Sequence, residues 1–389
     1  MLERRDFLKF SALSTVVAGT GITIPFAPAW AARWDRTLIL LELKGGNDGL
    51  NTIVPFTDQA YYDARPTLAV ARDKVLKVDG KLGFNPAWNT LMPLWSNKQM
   101  AAVMGLGYPN PNLSHFRGID IWNTASDADE LLDIGWISRL FETAPPGSGY
   151  AADGVNLGYN ELGPLNGGNT RSISLQKRPE RILKQASRLY PGRAAGVNDM
   201  MAHIIKQRRD LRSAAENIIA KQIEAVQVQG HFPETALGEQ FRTAARLLIA
   251  GVKVPVLKLS IAKFDTHAQQ EPLHGALLAD VGGSIAAFAA EMEKQGFWNN
   301  VLVMTFSEFG RRVKENISAG TDHGTAAPQF LFGGRVSGGF YGEHPPLDDL
   351  ENGNLKHRLH FRSLYATVTE EWWGLQPDFL RAKPLGIIT

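Results

Sequence analysis

Five short clusters of Asp, Glu, His and Ser are the residues of this sequence whose types and spacing suit chemistry. They read GGNDG, NLSHF, FDTH, SEFGR and GTDHG, at residues 45–49, 112–116, 264–267, 307–311 and 320–324. Carboxylates and imidazoles bind divalent cations, and a hydroxyl beside such an ion can act as a nucleophile. The clusters therefore predict a metal site with hydrolytic chemistry.

The acidic and imidazole groups supply enough oxygen and nitrogen ligands for one or two ions. The predicted metal ligands are Asp48, Asp265, His267, Glu308, Asp322 and His323. The expected cofactor is a divalent metal ion, with Zn²⁺, Mn²⁺ and Ca²⁺ all left open. The sequence has no cysteine, which excludes thiolate ligands and a cysteine nucleophile. The remaining histidines lack such a context and are predicted to be structural or exposed: His203, His231, His274, His344, His357 and His360.

Two further residues are predicted to be catalytic. Ser114 opens a predicted helix, where free N–H groups and the helix dipole favour an anion such as phosphate or sulfate. A metal that lowers the pKa of its hydroxyl would make Ser114 a nucleophile. Arg311 is predicted to bind the anionic oxygens of the substrate bidentately. The expected substrate is therefore an anionic ester.

Each of these residues also has an ordinary interpretation. The Asn-Asp-Gly sequence around Asp48 is common in turns, and Ser114 suits a simple helix N-cap. A metal-free Ser-His-Asp triad built on Ser114 also stays open, although it leaves most acidic clusters without a role. The motifs G-x-S-x-G, H-E-x-x-H and G-x-x-x-x-G-K-[ST] do not occur in the sequence.

Apolar runs that end in turn residues predict the strands that position the clusters. These runs span residues 36–43, 99–105, 254–261 and 301–306, with a possible fifth strand at 328–332. Helices are predicted at 114–122, 200–228, 239–249, 274–295 and 362–373. Because strands alternate with helices, the expected fold class is α/β, with helices packed on a mostly parallel central sheet. Open sheets of this kind bind ligands at the carboxyl ends of their strands, where the clusters lie.

The N-terminus fits a Tat-type export signal. Arg4-Arg5-Asp6-Phe7-Leu8-Lys9 has the twin-arginine pattern, and Ala29-Trp30-Ala31 fits a cleavage site after an apolar stretch. Residues 1–31 are predicted to be cleaved, so the protein is expected in the periplasm or outside the cell. An uncleaved anchor is the alternative, but the glycines and prolines of the stretch suit a spanning helix poorly, and no stable membrane anchor is expected.

Residues 32–389 are predicted to form a single domain with a loop-rich insertion at about 131–193. Lys and Arg number 41 against 39 Asp and Glu, a formal net charge of +2. This balance favours neither a nucleic-acid partner nor electrostatic binding to a membrane.

Several motifs resemble one known family when they are taken together. LELKGGNDGLNTIVPF, GYPNPNLSHFRGIDIW, FDTHAQQ, SEFGRRVKEN and GTDHGTAAPQFLFGG are similar to the mostly Tat-exported bacterial family named domain of unknown function 1501. The resemblance covers almost the whole chain after the signal. That family is grouped with the alkaline phosphatase and sulfatase superfamily. The resemblance implies a three-layer α/β/α sandwich with a metal site at the strand ends, and a co-encoded exported protein as a partner.

The resemblance also implies roles for individual residues. Asp48 resembles the first-strand metal Asp of the superfamily, and Ser114 stands in the place of its nucleophile. Asp265 with His267, and Asp322 with His323, resemble metal-binding pairs. Glu308 stands where the superfamily has an Asp-His pair, which is a departure. The signature Cys/Ser-x-Pro-x-Arg of formylglycine sulfatases is absent.

These observations predict an exported, metal-dependent hydrolase of phosphate or sulfate esters. The main alternative is a non-catalytic exported protein that keeps the fold as a binding or secretion-partner module. The departure at Glu308 motivates that alternative. A phosphomutase-like enzyme is a third interpretation, which the expected export makes weaker.

Overall fold

Helices cover both faces of a nine-stranded central sheet in this computed structural model. The structure describes residues 32–176, 179–192, 198–221 and 223–389. The predicted Tat signal at residues 1–31 and the side chain of His203 lie outside this description. Residues Ala32–Thr389 form one compact unit.

Short elements connect the longer ones along the chain. The strands are β1 Thr37–Leu43, β2 Ile53–Val54, β3 Leu76–Lys77, β4 Gly83–Phe84, β5 Met100–Gly107, β6 Gly154–Asn156, β7 Ser172–Ser174, β8 Val256–Ile261, β9 Val301–Phe306, β10 Ala327–Phe332, β11 Gly339–Tyr341, β12 Leu350–Glu351, β13 Asn354–Leu355 and β14 Leu359–His360. The α-helices are α1 Gly49–Thr52, α2 Gln59–Ala64, α3 Met92–Ser96, α4 His115–Thr124, α5 Trp136–Thr143, α6 Pro179–Ala186, α7 Asp199–Ala220, α8 Ala236–Ile249, α9 Gln270–Lys294 and α10 Arg362–Ala366.

Strand direction decides which loops meet in the central sheet. Its order is β11-β5-β10-β9-β1-β8-β6-β7, with β14 also paired to β5. Strand β10 runs antiparallel to both of its neighbours, and the other pairings in this sheet are parallel. The edge where β1, β5, β8 and β9 end, here named the carboxyl edge, is therefore also the edge where β10 begins.

The central strand shows why both faces of the sheet are covered. Every residue of β1 is buried, and its side chains alternate between the two faces. Ile39 and Leu41 belong to a core that includes residues of α8 and α9. Leu38 and Leu40 belong to a second core that includes residues of α4, α5 and α10. The predicted three-layer α/β/α architecture with a mostly parallel sheet is confirmed.

The segment predicted as a loop-rich insertion also contributes two short strands to the sheet. It contains α5, β6, β7 and α6. Strand β6 pairs in parallel with β8, and β7 pairs in parallel with β6. The sequence does not reveal these strands, because strands of three residues are too short for their alternation to stand out in a sequence rich in glycine and proline.

Helix α9 is long and apolar enough to cross a membrane by length and composition alone, with a mean hydropathy of 1.4 over its most apolar window. Among the described residues no other helix has this property. Its side chains Val281, Ile285 and Phe288 are fully buried in the core beside the sheet. This packing is that of a core helix, and it fixes the first turn of α9 under the carboxyl edge.

Candidate metal centre

Four side chains from three parts of the chain meet at the carboxyl edge. His115 is the first residue of α4, which follows β5. Asp265 and His267 follow β8, and His323 precedes β10. His115, Asp265 and His323 each offer one donor atom, and these three atoms lie within 4.8 Å of one another. We name His115, Asp265, His267 and His323 the donor cluster.

The spacing of the donor atoms matches the needs of a small cation. The Nε2 atoms of His267 and His323 are 2.9 Å apart. Asp265 Oδ1 lies 3.0 Å from the first of these nitrogens and 3.3 Å from the second. Asp265 Oδ2 lies 3.3 Å from His115 Nε2. Ligands at about 2.0–2.1 Å from a tetrahedral Zn²⁺ are themselves roughly 3.3 Å apart.

The far nitrogen of each imidazole contacts a group that accepts hydrogen bonds. His115 Nδ1 lies 2.8 Å from a Glu308 carboxylate oxygen. His267 Nδ1 lies 3.2 Å from Asp322 Oδ1, and His323 Nδ1 lies 2.7 Å from the carbonyl oxygen of Leu113.

These contacts favour one tautomer of each neutral ring. A carboxylate or a carbonyl cannot donate, so a neutral ring that donates from Nδ1 to the group behind it presents the lone pair of its Nε2 to the cluster. The Nε2 atom of His115 is buried and makes no hydrogen bond. Metal-binding histidines characteristically donate their other N–H to such acceptors. The groups behind the three rings are thus of the kind that lies behind metal-binding histidines.

Local electrostatics favour an ionised carboxylate at the centre. Burial opposes ionisation of Asp265, but the hydrogen bond and charge of Arg311 hold its pKa at about 2. The hydrogen bond to Glu308 raises the pKa of His115, whereas burial lowers the pKa of His323. The carboxylate is therefore anionic at neutral pH and available as a ligand.

Two predicted ligands lie behind the imidazoles rather than among the donor atoms. Glu308 is buried and accepts hydrogen bonds from the N–H of Gly45 at 2.8 Å and from the hydroxyl of Ser307 at 3.2 Å, besides its contact with His115. Asp322 accepts from the side chain of Asn316 at 3.1 Å, which lowers its pKa, and contacts His267. Each residue contacts the Nδ1 atom of one histidine, on the side of the ring away from the centre.

Asp48 is not brought into the donor cluster. Its buried carboxylate forms a bidentate pair with the fully buried Arg65, with contacts of 2.6 and 3.0 Å. It also accepts from the side chain of Gln270 and caps α1 through the N–H of Leu50. Burial alone would raise its pKa, but the charge of Arg65 lowers it. Asp48 suits a structural role better than the predicted ligand role.

Arg311 is also placed differently from its prediction as an anion clamp. Its guanidinium is fully buried and donates to the carbonyls of Gly45, Gly46, Phe264 and Thr321. The remaining contact is with Asp265, at 2.7 Å. Since these acceptors occupy the group, it positions Asp265 and joins three loops instead of facing a substrate.

Ser114 directly precedes His115 of the donor cluster in the chain. It is the N-cap residue of α4, and its side chain makes no capping hydrogen bond. Its hydroxyl is exposed, and the next residue is His115. A serine that leaves the helix N–H groups free at this position remains available for chemistry.

Two glycines let the loops approach each other closely. Gly45 has φ +116°, and a Cβ there would lie 2.3 Å from the backbone nitrogen of Asp265. A Cβ on Gly320 would lie 2.2 Å from the carbonyl carbon of His267. The glycines that flank the sequence clusters therefore permit the backbone contacts that gather the donors.

His115 is the residue of this site that the sequence reasoning missed. The sequence places it in the cluster NLSHF, directly after Ser114, and no ligand role is predicted for it. Two features together point to His115 as a ligand: it follows the end of β5, and a buried carboxylate, Glu308, follows β9 at the same edge of the sheet. Neither observation identifies a ligand until the sheet order is known.

The sequence of residues 158–385 matches the model of a family described as a protein of unknown function, DUF1501. The match covers more than half of the chain. This chain belongs to the DUF1501 family. No curated protein matches the sequence.

Solved structures resemble this DUF1501 protein at low identity. They include Ps i-CgsB, at 12% identity, with 90% of this chain and 75% of that chain covered and a TM-score of 0.41. The lipoteichoic acid synthase LtaP from Listeria monocytogenes has 10% identity, coverages of 91% and 77%, and a TM-score of 0.38. A protein in the alkaline phosphatase superfamily from Vibrio parahaemolyticus has 10% identity, coverages of 77% and 60%, and a TM-score of 0.35. Similarity at this level says nothing about the activity of the DUF1501 protein.

Proposed function

We propose that this protein is an exported, metal-dependent hydrolase of phosphate or sulfate esters. The observation that carries the proposal is the convergence of three imidazole Nε2 atoms on the carboxylate of Asp265. Lone pairs and a negative charge at about 3 Å repel one another unless a cation or a proton lies between them. The export proposal rests on the twin-arginine sequence of residues 4–9.

The donor set favours Zn²⁺ over the other expected ions. Three imidazoles and one carboxylate are typical of zinc, and Mn²⁺ is a weaker fit. Ca²⁺ takes six to eight oxygen ligands, which the donor cluster does not offer. We therefore propose His115, Asp265, His267 and His323 as ligands, with Glu308 and Asp322 as the groups that orient them.

The residues around the donor cluster suit ester hydrolysis. A bound divalent ion supplies Lewis acidity, which polarises the ester and lowers the pKa of a hydroxyl or water beside it. Ser114 supplies the candidate nucleophilic hydroxyl. The free N–H groups in the first turn of α4 favour the anionic oxygens of a phosphate or sulfate group. Arg311 holds Asp265 in place and keeps it ionised.

The first test is the metal content of protein exported through its own signal and purified without chelator. Elemental mass spectrometry is expected to find one stoichiometric ion per chain, with Zn²⁺ taken up in preference to Ca²⁺. His323→Ala is expected to lose the ion because it removes one ligand. The matched control is His357→Ala, since His357 is exposed and lies outside the donor cluster.

Each result separates the hypotheses. Absence of metal, with no uptake of Zn²⁺ or Mn²⁺, would contradict the metal site and the hydrolase together. A bound ion with no turnover of any phosphate or sulfate ester would favour the non-catalytic alternative. The next step would then be to identify a co-encoded exported protein that binds this one. Full occupancy in His323→Ala would contradict the ligand set.

A further inference from the structure

Two loops supply three of the four proposed ligands, and their relative position sets the spacing of the donor atoms. One loop carries Asp265 and His267, and the other carries His323. The loops contact each other through the N–H of Thr321, which donates to the carbonyl of Thr266 at 3.1 Å. A change of a few tenths of an ångström between them would alter the distances within the donor cluster, so a device that fixes their spacing affects metal affinity.

Gln270 connects the two loops without touching the donor cluster. It is the first residue of α9 and is completely buried. Its side-chain oxygen accepts hydrogen bonds from the hydroxyls of Thr266 at 2.9 Å and Thr321 at 2.6 Å. Thr266 lies between Asp265 and His267, and Thr321 directly precedes Asp322. One amide oxygen thus binds, in each loop, a residue one or two positions from a proposed ligand.

The buried pair of Asp48 and Arg65 fixes which way this amide points. The Gln270 amide nitrogen donates to Asp48 Oδ2. A carboxylate accepts hydrogen bonds only, so the amide oxygen is directed away from it and toward the two hydroxyls. Arg65 keeps Asp48 ionised and fixed through two contacts to its carboxylate. The hydrogen bonds from Arg65 to Asp48 and from Gln270 to Asp48 therefore fix the orientation of the Gln270 amide.

We propose that Gln270 is a positioning residue for the metal, which clamps the two ligand loops at the spacing the ion requires. Asp48 holds the amide of this clamp in its working orientation. The inference rests on the proposed metal-dependent function and gives the buried Asp48 a role in it without making it a ligand. The residues behind metal ligands commonly set affinity by fixing the orientation of those ligands.

The test is the dissociation constant for Zn²⁺, measured by competition with a chelating dye on metal-free protein. Gln270→Met keeps the volume of the side chain and removes its hydrogen bonds. We expect it to raise the dissociation constant by roughly 10- to 100-fold. The matched control is Gln240→Met, because the Gln240 amide also joins separate parts of the chain, through two hydrogen bonds of 2.9 Å to the backbone of Ser260. This control is expected to lower the melting temperature and leave zinc affinity unchanged.

A second pair of variants tests the orientation of the clamp. Gln270→Glu places a carboxylate against Asp48 and is expected to weaken zinc binding. Adding Asp48→Asn restores a donor opposite the new carboxylate and is expected to recover part of the affinity. If Gln270→Met folds poorly, Thr321→Val removes one hydroxyl with almost no change of shape and is expected to weaken binding in the same direction.

The outcomes separate this inference from the proposed function. No zinc binding by the wild-type protein would contradict the metal site itself. Wild-type binding with an unchanged dissociation constant in Gln270→Met and Thr321→Val would overturn only the role of the clamp. A lower melting temperature with unchanged affinity would show that Gln270 has a purely structural role.

Discussion

Ser114 is the side chain on which the chemistry of the proposed reaction depends most. Its neighbour His115 is held by Glu308, and its own hydroxyl is exposed and makes no capping bond. In the proposed reaction the donor cluster and its partners hold the metal, whereas Ser114 supplies the reacting hydroxyl. Binding and chemistry can therefore be separated by mutation at this one position.

Ser114→Ala is expected to reduce kcat/KM for a cleaved ester by at least about 10³-fold, because loss of a nucleophile removes the covalent route. Zinc occupancy is expected to stay at the wild-type level. The comparison variant is Ser187→Ala. The Ser187 hydroxyl donates to the carbonyl of Lys184, in a part of the sequence far from Ser114. A fall of less than about tenfold would assign the nucleophile to water instead.

At the scale of elements, the carboxyl edge depends on a buried ion pair between two short segments. Asp48 caps α1, and Arg65 follows α2 directly. Arg65 also donates to the carbonyls of Arg312 and Val313, so the pair ties these helices to the loop after β9. Removing one partner leaves the other charge buried and unpaired, which is strongly destabilising.

Asp48→Ala is expected to lower the free energy of unfolding by about 3–5 kcal/mol, as for a broken buried pair. The pKa of Asp48 is lowered in the fold. Its stabilisation is therefore complete above the unfolded pKa of about 3.9 and is lost as the pH falls through the lower folded value. Urea unfolding of the metal-free protein from pH 7 to pH 2 measures the free energy of unfolding. As the pH falls, this free energy is expected to decrease less in Asp48→Ala than in the wild type.

Asp349→Ala is the control for this experiment, because Asp349 forms ion pairs with Lys356 and Arg358 at the surface. Little change is expected there, since solvent screens such pairs. Equal urea midpoints for Asp48→Ala and the wild type would contradict the structural role assigned to Asp48.

At the scale of the whole molecule, the donor cluster joins distant parts of one sheet. Its members follow β5 and β8 and precede β10. An unfolded chain does not hold these residues together, so an ion bound there binds the folded state selectively. Metal binding and global stability are therefore linked.

Zinc at 100 times its dissociation constant is expected to raise the free energy of unfolding by about 2.7 kcal/mol. Thermal unfolding of the chain from Ala32 onward, at several zinc concentrations, measures the effect. His323→Ala is expected to show no such rise. Zinc that binds stoichiometrically without any stabilisation would indicate a surface site outside the donor cluster.

The sequence alone determined the fold class, most long strands and three of the four residues of the donor cluster. These features follow from local patterns: apolar runs predict buried strands, and glycines with acidic residues mark the loops after them. The strand predicted at 301–306 agrees with β9, Val301–Phe306. Asp265, His267 and His323 were all identified as candidates from such loops.

Only the tertiary structure decided which candidates face one another. His323 reaches the carboxyl edge because β10 runs antiparallel, and no local pattern states the direction of a strand. The burial of Arg311 and the pairing of Asp48 with Arg65 depend on which loops pack together. His115 becomes a candidate ligand only when Glu308, 193 residues away, lies behind its ring. Contacts between distant residues distinguish the groups that point at the centre from those that hold them there.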